Sequence, residues 1–125
     1  MDFAISDLCQ KIQFLSVNTA KGIQKISYQE IEYIENSART LHVFTTDGRE
    51  IISKYLRTSF ESNLQKILEN KHFIQVHKSF IVNLNYVKLY DPAQMTMHSG
   101  RQIPISKSRQ PNVKRTYLKY TSESY

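Results

Sequence analysis

No tryptophan, one cysteine, three glycines and three prolines occur in this 125-residue chain. Cys9 alone can form neither an internal disulfide nor a cysteine-based metal site, and it points to a reducing, cytoplasmic setting. No apolar run approaches the roughly 18 residues that a membrane span requires. The opening Met1-Asp2-Phe3-Ala4-Ile5-Ser6-Asp7 is acidic and lacks the apolar stretch of a secretory signal. Gly22, Gly48 and Gly100 each sit in a turn signal, which leaves none for a phosphate-cradling loop. His42, His72, His77 and His98 show no metal-ligand spacing, so no metal or other cofactor is expected. Serine, histidine and aspartate occur without a nucleophile-elbow sequence, and Glu32 and Glu35 read as solvated strand residues rather than an acid–base pair. A binding module is expected, not an enzyme.

The most informative absence is of acid. Between Pro92 and Ser122 there is no Asp or Glu, while Arg101, Lys107, Arg109, Lys114, Arg115 and Lys119 supply six cations. The rest of the chain carries eleven cations against eleven anions, so the whole net charge of +6 belongs to the last quarter. A one-sign field of this kind suits a polyanion, nucleic acid first and an acidic membrane surface second; the bland alternative is a solubilising tail.

What is present is a folded, β-leaning composition: 40% hydrophobic residues, with eight Tyr and six Phe. Its length suits a single domain with a modest core. Residues 2–12 read as a linker or short amphipathic helix, with Phe3, Leu8 and Ile12 roughly on one face. Short β-like runs follow at Phe14–Val17, Ile23–Ile26, Ile31–Glu35, Leu41–Thr46 and Glu50–Tyr55. Asp47-Gly48 is a strong signal for a two-residue type I′ hairpin turn, and Asn36 through Thr40 reads as a polar loop. Thr58-Ser59-Phe60-Glu61 fits a capping box that opens a helix with Phe60, Leu64, Ile67 and Leu68 on one stripe, a structural lid. A second hairpin is expected around Ser99-Gly100, with Pro104 at a strand end or edge. Pro111 reads as a break before a final turn of helix around Val113–Tyr120.

One stretch outweighs the rest: Phe73-Ile74-Gln75-Val76-His77-Lys78-Ser79-Phe80-Ile81-Val82-Asn83. Its apolar residues suit a strand from Val76 to Val82 buried on both faces, with Lys78 near the start aiming a charge outward. Strict alternation would put His77 on the opposite face from Lys78, as a buried, hydrogen-bonded histidine.

Five pieces in order resemble the LytTR family, the DNA-binding domain of many bacterial response regulators in two-component systems. Ile31-Glu32-Tyr33-Ile34-Glu35 looks like the family's "dI-yIE" strand, and Asp47-Gly48 like its "t-dG" hairpin. Leu56 through Leu68 is similar to the central helix; Val76 through Asn83 is close to the consensus; Ile103-Pro104-Ile105-Ser106-Lys107 resembles the closing "ipvSr" element.

The resemblance covers residues 13–109 and leaves 110–125 as a basic C-terminal tail. It implies a mainly β fold, an elongated stack of small antiparallel β-sheets with one central α-helix. It further implies sequence-specific binding of double-stranded DNA by a transcription regulator, alone or as a dimer or pair of protomers on repeated sites, with no membrane partner. Upstream receiver or input sequences would lie outside this chain. By resemblance, DNA contacts fall to Arg39 and Thr40 in the loop after the "yIE" strand, to Lys78, and to Ser106, Lys107 and Arg109 after the last strand.

A cation on such a loop can reach a phosphate, and an arginine can bond bidentately to guanine. The acid-free tail would add sequence-independent attraction to phosphates. Another function class stays open: a β-rich protein-interaction or regulatory module whose basic tail meets an acidic partner or membrane. An RNA-binding barrel would call for exposed aromatic pairs, whereas the tyrosines here are spread along the chain.

Overall fold

The computed structural model describes residues 13–123, so the linker or helix expected at 2–12 lies outside the described residues. The described chain is mainly β, in three antiparallel sheets. The strands are β1 (Phe14–Thr19), β2 (Gly22–Ser27), β3 (Ile31–Ser37), β4 (Thr40–Thr45), β5 (Glu50–Ile52), β6 (Phe73–His77), β7 (Phe80–Asn83), β8 (Val87–Asp91), β9 (Gln94–Met97) and β10 (Gln102–Pro104). Helices α1 (Phe60–Asn63) and α2 (Gln65–Leu68) follow β5, and α3 (Gln110–Glu123) closes the chain.

The central sheet has the order β5-β4-β3-β7-β6 and is covered on both sides. On one face, Val17 and Ile26 of the β1–β2 hairpin and Phe60, Leu64 and Ile67 of the helices pack on Ile31, Ile34, Val43 and Ile81. On the other, Met95, Met97 and Ile103 of the β8–β9–β10 sheet and Val113 of α3 pack on Tyr33, Ile74, Val76, Phe80 and Val82. Two-sided burial is why Phe80-Ile81-Val82 is continuously apolar instead of alternating.

Two bulges join the layers. Glu32 is the extra residue between the Ile31↔Thr45 and Tyr33↔Phe44 pairs, and its buried carboxylate accepts from the Ser99 N–H at 2.8 Å. It is therefore a satisfied buried acceptor rather than a solvated strand residue. Val76 is the extra residue between Gln75↔Ile81 and His77↔Phe80, so its carbonyl is free to accept from the Ser106 N–H at 2.8 Å.

Several local expectations change. The strand expected from Val76 to Val82 is two strands, β6 and β7, folded about the turn Lys78-Ser79. His77 is half-buried at the end of β6, and its Nδ1 accepts from the Ser79 N–H at 3.1 Å; the ring serves the turn, not the core. The type I′ turn lies elsewhere too. Thr46-Asp47-Gly48 is a three-residue hairpin connection in which only Gly48 has positive φ (+88°), closed by Gly48 N–H to Thr45 carbonyl at 3.1 Å. The tight two-residue turn is Ala38-Arg39, with φ of 51° and 61° and no glycine.

The central helix is capped by Ser59, whose hydroxyl accepts from the Ser62 N–H at 3.0 Å, and not by Thr58. It is interrupted at Leu64, where φ is −116°. The longest helix is instead α3, with 14 residues. Pro111 stands in its first turn, where a missing N–H deprives the helix of nothing, so it starts a helix and does not break one.

α3 lies back along the domain. Its Tyr120 hydroxyl is 2.7 Å from His72 Nδ1 and donates to Asn85 Oδ1 at 3.0 Å. Burial, reinforced by the Lys71 ammonium, holds the His72 imidazole below the usual histidine range. The unfolded chain takes up that proton near pH 6.5, and the folded domain takes it up only at lower pH. In this window the unfolded state binds more protons, so stability falls as pH drops. The melting temperature is expected to decrease below about pH 6.5, and His72→Gln is expected to flatten that dependence. An unchanged pH profile in the variant would assign the effect to another group.

Candidate nucleic-acid interface

Strand direction builds the site. β3 is antiparallel to β4 and β7, β7 is antiparallel to β6, and β4 is antiparallel to β5. β3, β5 and β6 therefore run the same way, and their C-terminal ends share one end of the central sheet. Each is followed there by a cation: Arg39 after β3, Arg57 after β5 and Lys78 after β6. Cross-links hold the register. The Asn36 N–H donates to the Ser79 carbonyl at 2.8 Å, and the Leu56 N–H to the Arg39 carbonyl at 2.7 Å. The Ser106 bond to the Val76 bulge brings the segment 106–109 to the same end.

Arg39, Lys78, Ser106, Lys107 and Arg109 thus meet at one end of the fold, although 70 positions separate the first from the last. Lys78 and Lys107 are exposed, and among the described residues neither ammonium makes an ion pair. Arg109 Nη1 donates to Ser106 Oγ at 3.2 Å. Arg39 is not loose: its Nη2 donates to the Leu56 carbonyl at 3.2 Å, and its guanidinium lies 5.2 Å from the Tyr55 ring centroid. Four of its five N–H donors remain available. Thr40 is committed inward, since its hydroxyl donates to the Ser37 carbonyl at 2.7 Å and sits 3.0 Å from His42 Nε2.

Both residues of the Ala38-Arg39 turn occupy the left-handed region, at a cost of about 1–2 kcal/mol each. The flanking Ser37↔Thr40 pair and the Leu56 bond over-determine this geometry. Arginine in a strained, anchored turn is a side chain whose origin is held still.

Not every cation of the acid-free stretch joins this surface. Arg101 lies 5.7 Å and 5.5 Å from the Tyr33 and Phe80 ring centroids and 3.6 Å from the Glu35 carboxylate. Its exposed side chain leans on aromatic rings and faces a carboxylate. At the sheet edge, Gln75 donates to Glu61 at 2.8 Å, and that bond, with the nearby Arg109 charge, holds the Glu61 carboxyl below its ordinary range. α3 carries Lys114, Arg115 and Lys119 progressively away from the strand ends, towards His72. Arg57 was not singled out from sequence. The signal it offered was position alone: a cation in the segment that follows β5, one of three co-directional strands.

This is the architecture of a small β-sheet domain that presents loop cations at one end, and comparison with known proteins identifies the class. The profile of the LytTr DNA-binding domain family matches residues 21–117, and the chain belongs to that family. It is 26% identical over 106 residues to the sensory transduction protein LytT of Bacillus subtilis (strain 168), covering 81% of this chain and 42% of that protein. A solved LytTr DNA-binding domain from Bacillus cereus superimposes with a TM-score of 0.66 at 24% identity, covering 84% of this chain and 95% of that one, and shares its fold.

Proposed function

We propose that the domain binds double-stranded DNA in a sequence-specific manner as the effector part of a transcription regulator. One observation carries the reading: the C-terminal ends of β3 and β6 and the bulge at Val76 deliver Arg39, Lys78, Lys107 and Arg109 to a single end of the fold. Arg39, anchored but with donors to spare, is the residue suited to read a base edge, bidentate to guanine O6/N7. Lys78, Lys107 and Arg109 are suited to phosphates, which fix register without specifying sequence. Ser106 orients Arg109, and Thr40 supports the turn that carries Arg39.

The test is selection of bound duplexes from a random pool, followed by titration of the selected duplex against salt. With about four to six phosphates neutralised, log K against log salt is expected to slope near −4 to −5. A flat salt response, or a pool with no enriched sequence, would overturn the proposal.

A further inference from the structure

We infer that Arg57, with the hydroxyls of Thr58 and Ser59, forms a seat for a backbone phosphodiester of the bound DNA, on the β5 flank of the surface described above. The inference rests on the proposed DNA binding and adds a contact to it. A concavity of 350 Å³ opens between the Ala38-Arg39 turn and the segment that follows β5, with Arg39, Arg57, Thr58 and Ser59 on its walls and Leu56 and Phe60 at its apolar base. No carboxylate lines it.

The seat offers several donors beside one side-chain amide acceptor, the buried Asn36 Oδ1, which has no hydrogen-bond partner among the described residues. Thr58 Oγ1 accepts from Asn63 Nδ2 at 2.7 Å and Ser59 Oγ accepts from the Ser62 N–H at 3.0 Å, so each hydroxyl oxygen is held in place while its own proton stays free. Among the described residues the Arg57 guanidinium makes no ion pair and no side-chain hydrogen bond, and the residue is exposed. One unpaired cation, two oriented O–H donors and a second arginine across the notch outweigh the single Asn36 oxygen and match an anionic oxygen cluster. They match nothing cationic or purely apolar.

Position assigns the anion to the DNA backbone. β5 and β6 are the two edges of the five-stranded sheet, about 19 Å apart at a strand spacing of roughly 4.8 Å, and they lead to Arg57 on one flank and to the 106–109 segment on the other. Arg39, after the middle strand, lies between them. A major groove is about 12 Å wide. A side chain placed centrally over the groove therefore has a cationic group beyond each rim, where phosphates run.

The experiment uses the whole chain and a duplex selected from the random pool. Arg57→Ala is expected to weaken the selected and an unrelated duplex alike, by about tenfold, and to reduce the salt slope by about 0.9. Base preference and melting temperature should be unchanged, and Arg57→Lys should keep the slope. Lys71→Ala, the same charge change beyond the other end of β6, should leave both affinities unaffected. Inorganic phosphate at fixed ionic strength should displace no more DNA than chloride does. If Arg57→Ala binds both duplexes as the wild type does, or loses affinity only for the selected one with an unchanged slope, the seat is wrong while the proposed function stands. Phosphate that displaces DNA from the wild type but not from Arg57→Ala would assign the seat to the free ion instead. A wild-type chain that binds no duplex overturns both readings.

Discussion

Ending the chain at Gln110 is expected to unfold the domain, not merely to lower its affinity for DNA. The segment removed is α3, whose Val113 is fully buried in the core between the central sheet and the β8–β9–β10 sheet. Tyr117 packs with its ring centroid 5.2 Å from that of Tyr90, and Tyr120 bridges His72 and Asn85. Burial of one valine contributes about 1.5–3 kcal/mol, and two half-buried tyrosines add a comparable amount. The loss, on the order of 5 kcal/mol, reaches the lower end of a domain's whole stability of roughly 5–15 kcal/mol. A truncated chain with the same melting temperature as the full one would refute this account of α3. The electrostatic contribution is separable: Lys114→Gln, Arg115→Gln and Lys119→Gln together remove charge while keeping the apolar stripe. They should leave melting unchanged and weaken DNA binding less than Lys107→Ala alone, because α3 leads away from the strand ends.

Arg39→Ala is expected to cost about 1–3 kcal/mol of binding to the selected duplex and to relax preference at one base pair. Affinity for unrelated DNA should fall far less. The anchoring of Arg39 underlies the contrast: the Leu56 carbonyl and the Tyr55 ring restrict its fork before DNA arrives, so less conformational freedom is lost on contact. Lys78→Ala is the complementary case. From the tip of the β6–β7 turn, its ammonium should contribute to specific and unrelated binding alike, with no effect on melting. Re-selection from the random pool with each variant distinguishes them. An unchanged consensus for Arg39→Ala, or an altered one for Lys78→Ala, would reverse the two roles.

Period and turn residues made most of this architecture legible. The first four β runs, the Ser99-Gly100 hairpin and the apolar stripe of the central helix lie where the pattern places them, since each is a local consequence of side-chain alternation and turn chemistry, whereas the run expected over Glu50–Tyr55 is a strand only over Glu50–Ile52. The misplaced features are those in which tertiary contacts decide. Lys78-Ser79 lacks glycine, asparagine or aspartate, so the turn inside an apolar run is invisible until β6 is paired with β7. Ala38-Arg39 is held in left-handed geometry by its flanking strands and by Leu56, against local preference. Pro111 reads as a helix breaker without knowledge that a helix begins one residue earlier. The candidate contacts around Arg39, Lys78 and Lys107 came from family resemblance. That they share one end follows from strand direction, which no single segment encodes, and Arg57 emerges only from that geometry.

The two turns at the proposed binding end project beyond strands whose buried side chains belong to other positions. Ala38-Arg39 and Lys78-Ser79 are each two residues long and closed by their own strand pairs, and none of the four side chains belongs to either core. On the proposed reading, recognition and folding are thereby written largely in different letters of the chain. A new target site can be sought by varying exposed side chains such as Lys78 while the strand pairing that aims them is left untouched.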